Sequence, residues 1–374
     1  MRIALISTTL YNFQGADRVM WQLADQLAKK GDLVTLFSFK GNMLPPTDVD
    51  SVTMGMPAGF LAERIFRLTF PLNIFAWLKY ARILKEFDMV YTGPYPASWL
   101  AYIAKLLYNR EYTYYFFHFN LPGFIPGFFA RSYSRMHVFL EKWTLKRANK
   151  VMTISEFSKR SLANVFNKDI EVVYCTVDCY KFKPGLNRTI IRNKYDLGEQ
   201  PVILCVGQLI PSKGMHLLIE AFKRVKADFP DAQLIIVGKA VFPGYLKKLR
   251  DMAGDSVIFA QDVPAHELPY YYSACDIYAT ATLWEGFNIP LIEAQACGKP
   301  VVAFDIGPHP EVIDNGVTGI LVPASAIAEF SSAIIKLLKK KDLAVSLGKH
   351  GSIVVRQHFC LNTAPDTSKF TIDD

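Results

Sequence analysis

The sequence is poor in the features that mark several common protein classes. Its 374 residues include six cysteines, with no C-x-x-C pair and no histidine at zinc-ligand spacing, which argues against a zinc module. Cys205, Cys275 and Cys297 lie in apolar runs and read as core filler, a usage that fits a reducing compartment. The stretch Met1 to Ser7 has no charged leader followed by a long apolar run, so it reads as a strand and not as a signal peptide. A clean membrane span is also missing. The longest stretch without a charge, Tyr112 to Ala130, carries Asn120, Pro122, Gly123, Pro126 and Gly127, which a lipid-exposed helix tolerates poorly. Basic residues are scattered, with no nucleic-acid recognition motif, so no nucleic-acid partner is expected.

What is present is apolar and aromatic. Apolar residues make up 51% and charged residues 20%, the composition of a chain that packs. A chain of this length is comfortable as two cores. Aromatics reach 13%, with 27 Phe and 18 Tyr and the surplus in the first half. The net charge of +8 favours an anionic partner such as anionic lipid or a phosphorylated ligand.

Strand and helix patterns alternate along the chain. Strands are expected at 2–7, 33–39, 89–92, 113–119 and 151–154, then again at 202–206, 233–237, 257–259, 277–279 and 301–304. Continuous apolar strands spaced by helices predict parallel sheets covered on both faces. The pattern breaks around Phe182-Lys183-Pro184-Gly185. The expected organisation is therefore an α/β chain of two doubly wound domains, 1–183 and 199–358, joined by a linker at 184–198, with an odd tail at 359–374. Ligands of such sheets bind beyond the carboxyl ends of the strands, which points to an inter-domain cleft.

The strongest chemical signal is Glu285-Gly286-Phe287-Asn288-Ile289-Pro290-Leu291-Ile292-Glu293. The backbone N–H groups of Phe287, Asn288 and Ile289 fall at an expected helix start, where first-turn donors lack intrahelical partners. A carboxylate on each side suits a polyol, because carboxylates accept hydrogen bonds from hydroxyls. The same spacing also fits a capping Glu and an unrelated surface Glu. Gly207 at a strand end, followed by Lys213 at the next helix start, supplies backbone donors and a point charge for a phosphate. Gly15 precedes the first helix and permits close backbone approach. Asp48-Val49-Asp50 imitates a metal-binding D-x-D, but it sits in a proline-flanked loop and reads as chance, so no metal site is expected.

Residues 285–305 (EGFNIPLIEAQACGKPVVAFD) resemble the E-x7-E signature of retaining glycosyltransferases of family 4. Four further stretches are similar to that family in the right order. They are Gln14 to Val19, Thr153 to Glu156, Val206 to Gly214 and Gly316 to Pro323. The resemblance implies a GT-B fold, two Rossmann-like domains, and a nucleoside-diphosphate sugar as donor substrate with no bound cofactor and no metal. It implies that Lys213 contacts the donor diphosphate, with Gly15 and Gly207 close to it. Glu293 would hold the ribose, Glu285 the transferred sugar, and His118 would lie beside sugar or acceptor. Two departures stand out: the family's Arg before the Lys is Gln208, and the second Gly of E-G-F-G is Asn288.

The function this predicts is retaining transfer of a hexose, mannose by family frequency, to an acceptor hydroxyl. Basic and aromatic residues mix between Leu61 and Phe87 and between Arg131 and Lys150, which fits contact with an anionic membrane surface and a glycan or lipid-linked acceptor. The expected location is cytoplasmic, peripheral on the inner face of the membrane. The competing readings are a nucleotide-sugar isomerase or hydrolase on the same fold, and a non-catalytic scaffold.

Overall fold

The computed structural model describes residues 1–11, 15–117, 128–163, 165–167 and 169–361. The chain divides into two units, Met1–Val173 and Tyr174–Asp374. The division falls upstream of the expected linker. Residues 184–198 belong to the second unit, where they form the helix Thr189–Lys194. Arg192 of that helix is buried and donates to Ala274 O at 3.0 Å and to Asp276 Oδ2 at 2.9 Å. Asp276 Oδ2 also accepts from Val202 N at 2.8 Å. A buried guanidinium persists only with partners of this kind.

The first unit is built on β1 (Arg2–Leu10), β2 (Leu33–Gly41), β3 (Val49–Thr53), β4 (Met89–Thr92), β5 (Tyr112–Phe116), β6 (Lys150–Thr153) and β7 (Ile170–Val172). They form one parallel sheet in the order β3-β2-β1-β4-β5-β6-β7. The β3 strand corrects the loop expected around Asp48-Val49-Asp50. Val49 turns inward and Asp50 pairs in register with Thr35 at the sheet edge, while Asp48 and Asp50 are both exposed. Much of the aromatic surplus is core: Phe37, Phe39, Phe70, Tyr95, Tyr112, Tyr114 and Phe116 form one buried cluster with the aliphatic residues of helix Ala97–Tyr108.

The second unit carries β8 (Val202–Val206), β9 (Gln233–Val237), β10 (Val257–Ala260), β11 (Ile277–Thr280), β12 (Val301–Phe304) and β13 (Ile320–Val322). Its parallel sheet has the order β10-β9-β8-β11-β12-β13. Strands β8, β11 and β12 are buried almost throughout, as a sheet covered on both faces requires. Strand order reverses direction between β8 and β11, where Ile203 pairs with Ile277. Connections leave that point toward opposite edges, which opens a crevice at the strand ends.

The helix Lys341–His358 closes the second unit, and its end is anchored. Val177 N donates to Phe359 O at 2.8 Å, and Leu361 N donates to Val177 O at 3.1 Å. A disulfide joins Cys179 to Cys360, with Cα atoms 5.7 Å apart. This pairing departs from the reading of the cysteines as thiols of a reducing compartment. Cys175, Cys205, Cys275 and Cys297 are buried and form no disulfide. The remainder of the expected tail, 362–374, lies outside the described residues. Among the described residues, no helix is long and apolar enough to cross a membrane.

Candidate functional site

The crevice at the ends of β8 and β11 is where the sequence signals converge. After Val206 the chain runs through Gly207 and Gln208 into the short 3-10 turn Pro211–Lys213. Gly214 then starts helix Met215–Asp228 with φ 63°. A Cβ at Gly214 would lie 1.8 Å from the carbonyl oxygen of Ala281, so only glycine fits between the two loops. Leu283 N donates to Ser212 O at 2.8 Å and binds the loops together. Close packing and one backbone hydrogen bond thus fix Lys213 against the segment that carries Glu285.

Lys213 Nζ donates to Glu285 Oε2 in an ion pair that is mostly shielded from solvent. The expected phosphate-binding cation and the expected sugar-binding carboxylate therefore neutralise each other. Gln208, half-buried beside them, keeps a polar side chain where the family's Arg would stand. It cannot supply the charged fork an Arg offers a phosphate.

Glu285 precedes the helix Ile289–Ala296, whose N-cap is Asn288; of the three expected N–H groups only that of Ile289 lies in the first turn, while those of Phe287 and Asn288 lie in the loop just before it. Phe287 is buried against Tyr174 and Phe359, with ring centroids 5.8 Å away in each case. Its role is to hold the loop, and what it offers a ligand is backbone. Tyr174 is anchored in turn by its hydroxyl, which donates to Glu311 Oε2 at 3.1 Å.

Asn288 takes φ 78°, a left-handed conformation that glycine enters freely and asparagine tolerates best among the other residues. This explains why Asn can stand at the family's Gly. Its side chain makes no capping bond to the helix. Instead Nδ2 lies 2.9 Å from His309 Nε2. His309 was not singled out from sequence, because nothing in a window around it points to residue 288.

Glu293, one turn into the helix, is fully buried and accepts a hydrogen bond from the Tyr272 hydroxyl at 2.8 Å. Tyr272 is itself buried, and burial together with the nearby carboxylate raises its pKa well above the ordinary tyrosine value. Cys205, on β8, is pushed up to about 12 by burial and is no nucleophile at neutral pH.

In the first unit, Gly15 starts helix Gly15–Lys29 beyond the end of β1. Two residues on, Asp17 is buried and accepts from Tyr11 N at 2.8 Å and from the Thr9 hydroxyl. Burial raises its pKa to about 7, and those two hydrogen bonds partly oppose the rise. Asp17 was quoted within a motif but given no role; it clamps the connection between β1 and the helix. His118 lies outside the described residues, and β5 ends at Phe116, earlier than expected. The Thr153 to Glu156 motif serves local structure: Ser155 Oγ caps helix Glu156–Leu162 by accepting from Ser158 N at 3.0 Å.

Two parallel, doubly wound units, the second with a Gly–Lys loop and an E-x7-E helix at its switch point, define a protein of the GT-B class. The chain belongs to the group 1, family 4 glycosyltransferases: the model for Glycosyltransferase Family 4 matches residues 13–181, and that for Glycosyl transferases group 1 matches residues 187–353. It is similar to the GDP-mannose-dependent alpha-(1-6)-phosphatidylinositol monomannoside mannosyltransferase of Mycolicibacterium smegmatis, with 32% identity over 219 residues, 54% of this chain and 56% of that protein. The chain thus spans about half the length of the curated relatives it matches. In fold it is similar to a sucrose-phosphate synthase from Thermosynechococcus elongatus, with TM-score 0.82 and 22% identity over 99% of this chain and 98% of that one. It is also similar to Anabaena Alr3699/HepE in complex with UDP and glucose, with TM-score 0.81 and 21% identity over 97% of this chain and 96% of that one.

Proposed function

We propose that this protein transfers a sugar from a nucleoside-diphosphate sugar to an acceptor hydroxyl, and that the donor binds at the carboxyl ends of β8 and β11. The observation that carries this reading is the Lys213–Glu285 ion pair, set at the switch point beside the start of helix Ile289–Ala296. A diphosphate entering the crevice takes over Lys213 as its counter-charge. Glu285 is then free to accept from sugar hydroxyls, so one binding event arms both groups. Gly207, Gln208 and the N–H groups of 287–289 line the path of the phosphates; the family resemblance assigns the ribose to Glu293, whose carboxylate is buried and held by Tyr272, so contact with a ribose requires the surrounding loop to move. By the family resemblance Gly15 is assigned to the donor diphosphate, and His118 to the side of the sugar or acceptor.

The chemistry follows from what is held. The glycosidic bond to the diphosphate breaks, and the diphosphate leaves stabilised by Lys213 and the N–H groups of 287–289. The acceptor oxygen attacks on the same face, and its proton passes to the leaving phosphate oxygen. The stereochemistry is retained, and no protein nucleophile is needed. Catalysis consists of positioning and charge stabilisation.

The acceptor is membrane-bound or lipid-linked in this reading. Helices Phe60–Thr69 and Ile74–Leu84 and the 3-10 turn between them expose Leu61, Leu72 and Phe75, the last at 89%, beside the exposed cations Lys79, Arg82 and Lys85. Phe139 and Trp143 are exposed on helix Phe128–Leu145, and the Arg147 guanidinium lies 3.6 Å over the Trp143 ring. Apolar side chains set among cations suit the boundary between anionic headgroups and acyl chains. A mannose donor is favoured by the name of the mycobacterial relative; a glucose donor is the alternative raised by the cyanobacterial neighbour.

The test is to incubate the protein with GDP-mannose and UDP-glucose, each with and without a membrane lipid extract, and to follow sugar transfer and anomeric configuration by NMR. Transfer to lipid with the donor's configuration supports the reading. Product from donor alone points to the hydrolase or isomerase reading, and an absence of nucleotide binding points to a scaffold.

A further inference from the structure

His309 is buried completely, behind the donor loop, at the start of the short helix that follows β12. Its Nδ1 lies 2.7 Å from the carbonyl oxygen of Phe304, the last residue of β12. A carbonyl only accepts, so Nδ1 carries the proton. Its Nε2 lies 2.9 Å from the Asn288 amide nitrogen, which only donates, so Nε2 accepts. Two partners of opposite sense thus define one neutral tautomer. Burial lowers the imidazole pKa, with the Phe304 carbonyl partly opposing, and this keeps the ring neutral. Glu285 and Lys213 act on the same ring electrostatically, in opposite directions.

We infer that His309 is a positioning residue for the donor loop and acts through Asn288. The argument rests on the functional reading above, since it assigns the loop to the donor. Residue 288 must adopt a left-handed backbone at the helix start. Glycine would enter that conformation but would also leave it freely. Asparagine enters it and offers an amide, and His309 captures that amide. The bond ties the loop after β11 to the end of β12. The N–H groups of 287–289 are thereby aimed before the ligand arrives, which lowers the ordering cost of binding.

The experiment is a double-mutant cycle on the full chain with His309→Leu, Asn288→Gly and the double variant, with His309→Gln as the conservative replacement. UDP and GDP are titrated into each by calorimetry, and unfolding midpoints are recorded without nucleotide. His309→Leu strands the buried Asn288 amide and frees the loop, so the nucleotide Kd is expected to rise by about tenfold or more. In the Asn288→Gly background the same change strands nothing, and Kd should shift by less than about twofold. Gln can donate to Phe304 and accept from Asn288, so it should recover most of the affinity. A loss of equal size in both backgrounds, or no loss in the first, overturns the positioning role. The unfolding midpoints separate the two layers of the claim. A coupled loss of stability without nucleotide reports the Asn288–His309 bond itself. A wild-type protein that binds neither UDP nor GDP contradicts the functional reading and, with it, the positioning role.

Discussion

The two units share a parallel, doubly wound plan but spend their apolar residues differently. The second unit hides most of them, with Tyr180 and Val345 its most exposed large apolar side chains. Its strands are buried on both faces, and its loops at the switch point are locked by Gly214, by the Leu283–Ser212 hydrogen bond and by Asn288 on His309. The first unit fills its core with tyrosine and phenylalanine and still leaves Leu61, Leu72, Phe75 and Phe139 in solvent. On the proposed function, the contrast reflects where each unit's demands lie. A donor diphosphate needs donors fixed to within fractions of an ångström, and rigid backbone provides them. An extended apolar acceptor or a membrane surface needs area, and exposed side chains provide it.

Five variants test this picture, beginning with the most damaging. Lys213→Ala and Glu285→Ala should each reduce transfer by about 100-fold or more, the usual cost of removing a group that stabilises developing charge. Steady-state rates at saturating donor, alongside thermal unfolding to confirm the fold, measure it. Near-normal rates in both would move the chemistry out of the second unit. Cys360→Ser should cost about 2–4 kcal/mol of stability in oxidised protein, because the bond spans a separation of 181 residues. Denaturant titration reads the loss; an equal loss under a dithiol reductant would show that the bond contributes nothing.

Phe75→Ser combined with Leu72→Ser should weaken sedimentation with vesicles of anionic phospholipid by about tenfold and leave nucleotide affinity unchanged. A change in nucleotide affinity with no change in vesicle binding would reverse the assignment of the two units. The smallest effect concerns the buried pair His137 and Glu141, 3.5 Å apart. Burial raises Glu141 from 4.5 to about 8, so the folded state holds a proton that the unfolded state loses. That contribution is present below pH 4.5 and fades as pH rises through 8. His137 is lowered from 6.5 to about 4 by burial and by Arg67, so its share runs the other way and is lost as pH falls through 4. Glu141→Gln should therefore remove this fall in stability between pH 5 and pH 8. A variant with the wild-type pH dependence would refute this.

The same contrast governs what the sequence could reveal. The central strands β8, β9 and β12 appear at the expected residues because continuous apolar runs bounded by turns leave little choice. Edge strands β3, β7 and β13 went unseen, since three to five residues with one buried side carry a weak pattern. Lys213 and Glu285 were legible because each sits in a compact strand–loop–helix segment. Their mutual pairing was not, nor was the meeting of Tyr174, Phe287 and Phe359, because these contacts join distant stretches of chain. Cys179 and Cys360 escaped for the same reason: spacing rules detect close pairs, and this pair is made by the fold. Asn288 looked like a departure from the family, and only its left-handed backbone and its bond to His309 give that departure a cause.

The central claim is that the donor diphosphate seats at the ends of β8 and β11. Amide hydrogen exchange, recorded with and without saturating UDP or GDP, tests it most directly. The account predicts new protection concentrated at 207–214 and 283–291, and loss of that protection in Lys213→Ala. Protection centred elsewhere, or an unchanged map at nucleotide concentrations that calorimetry shows to be saturating, would contradict it.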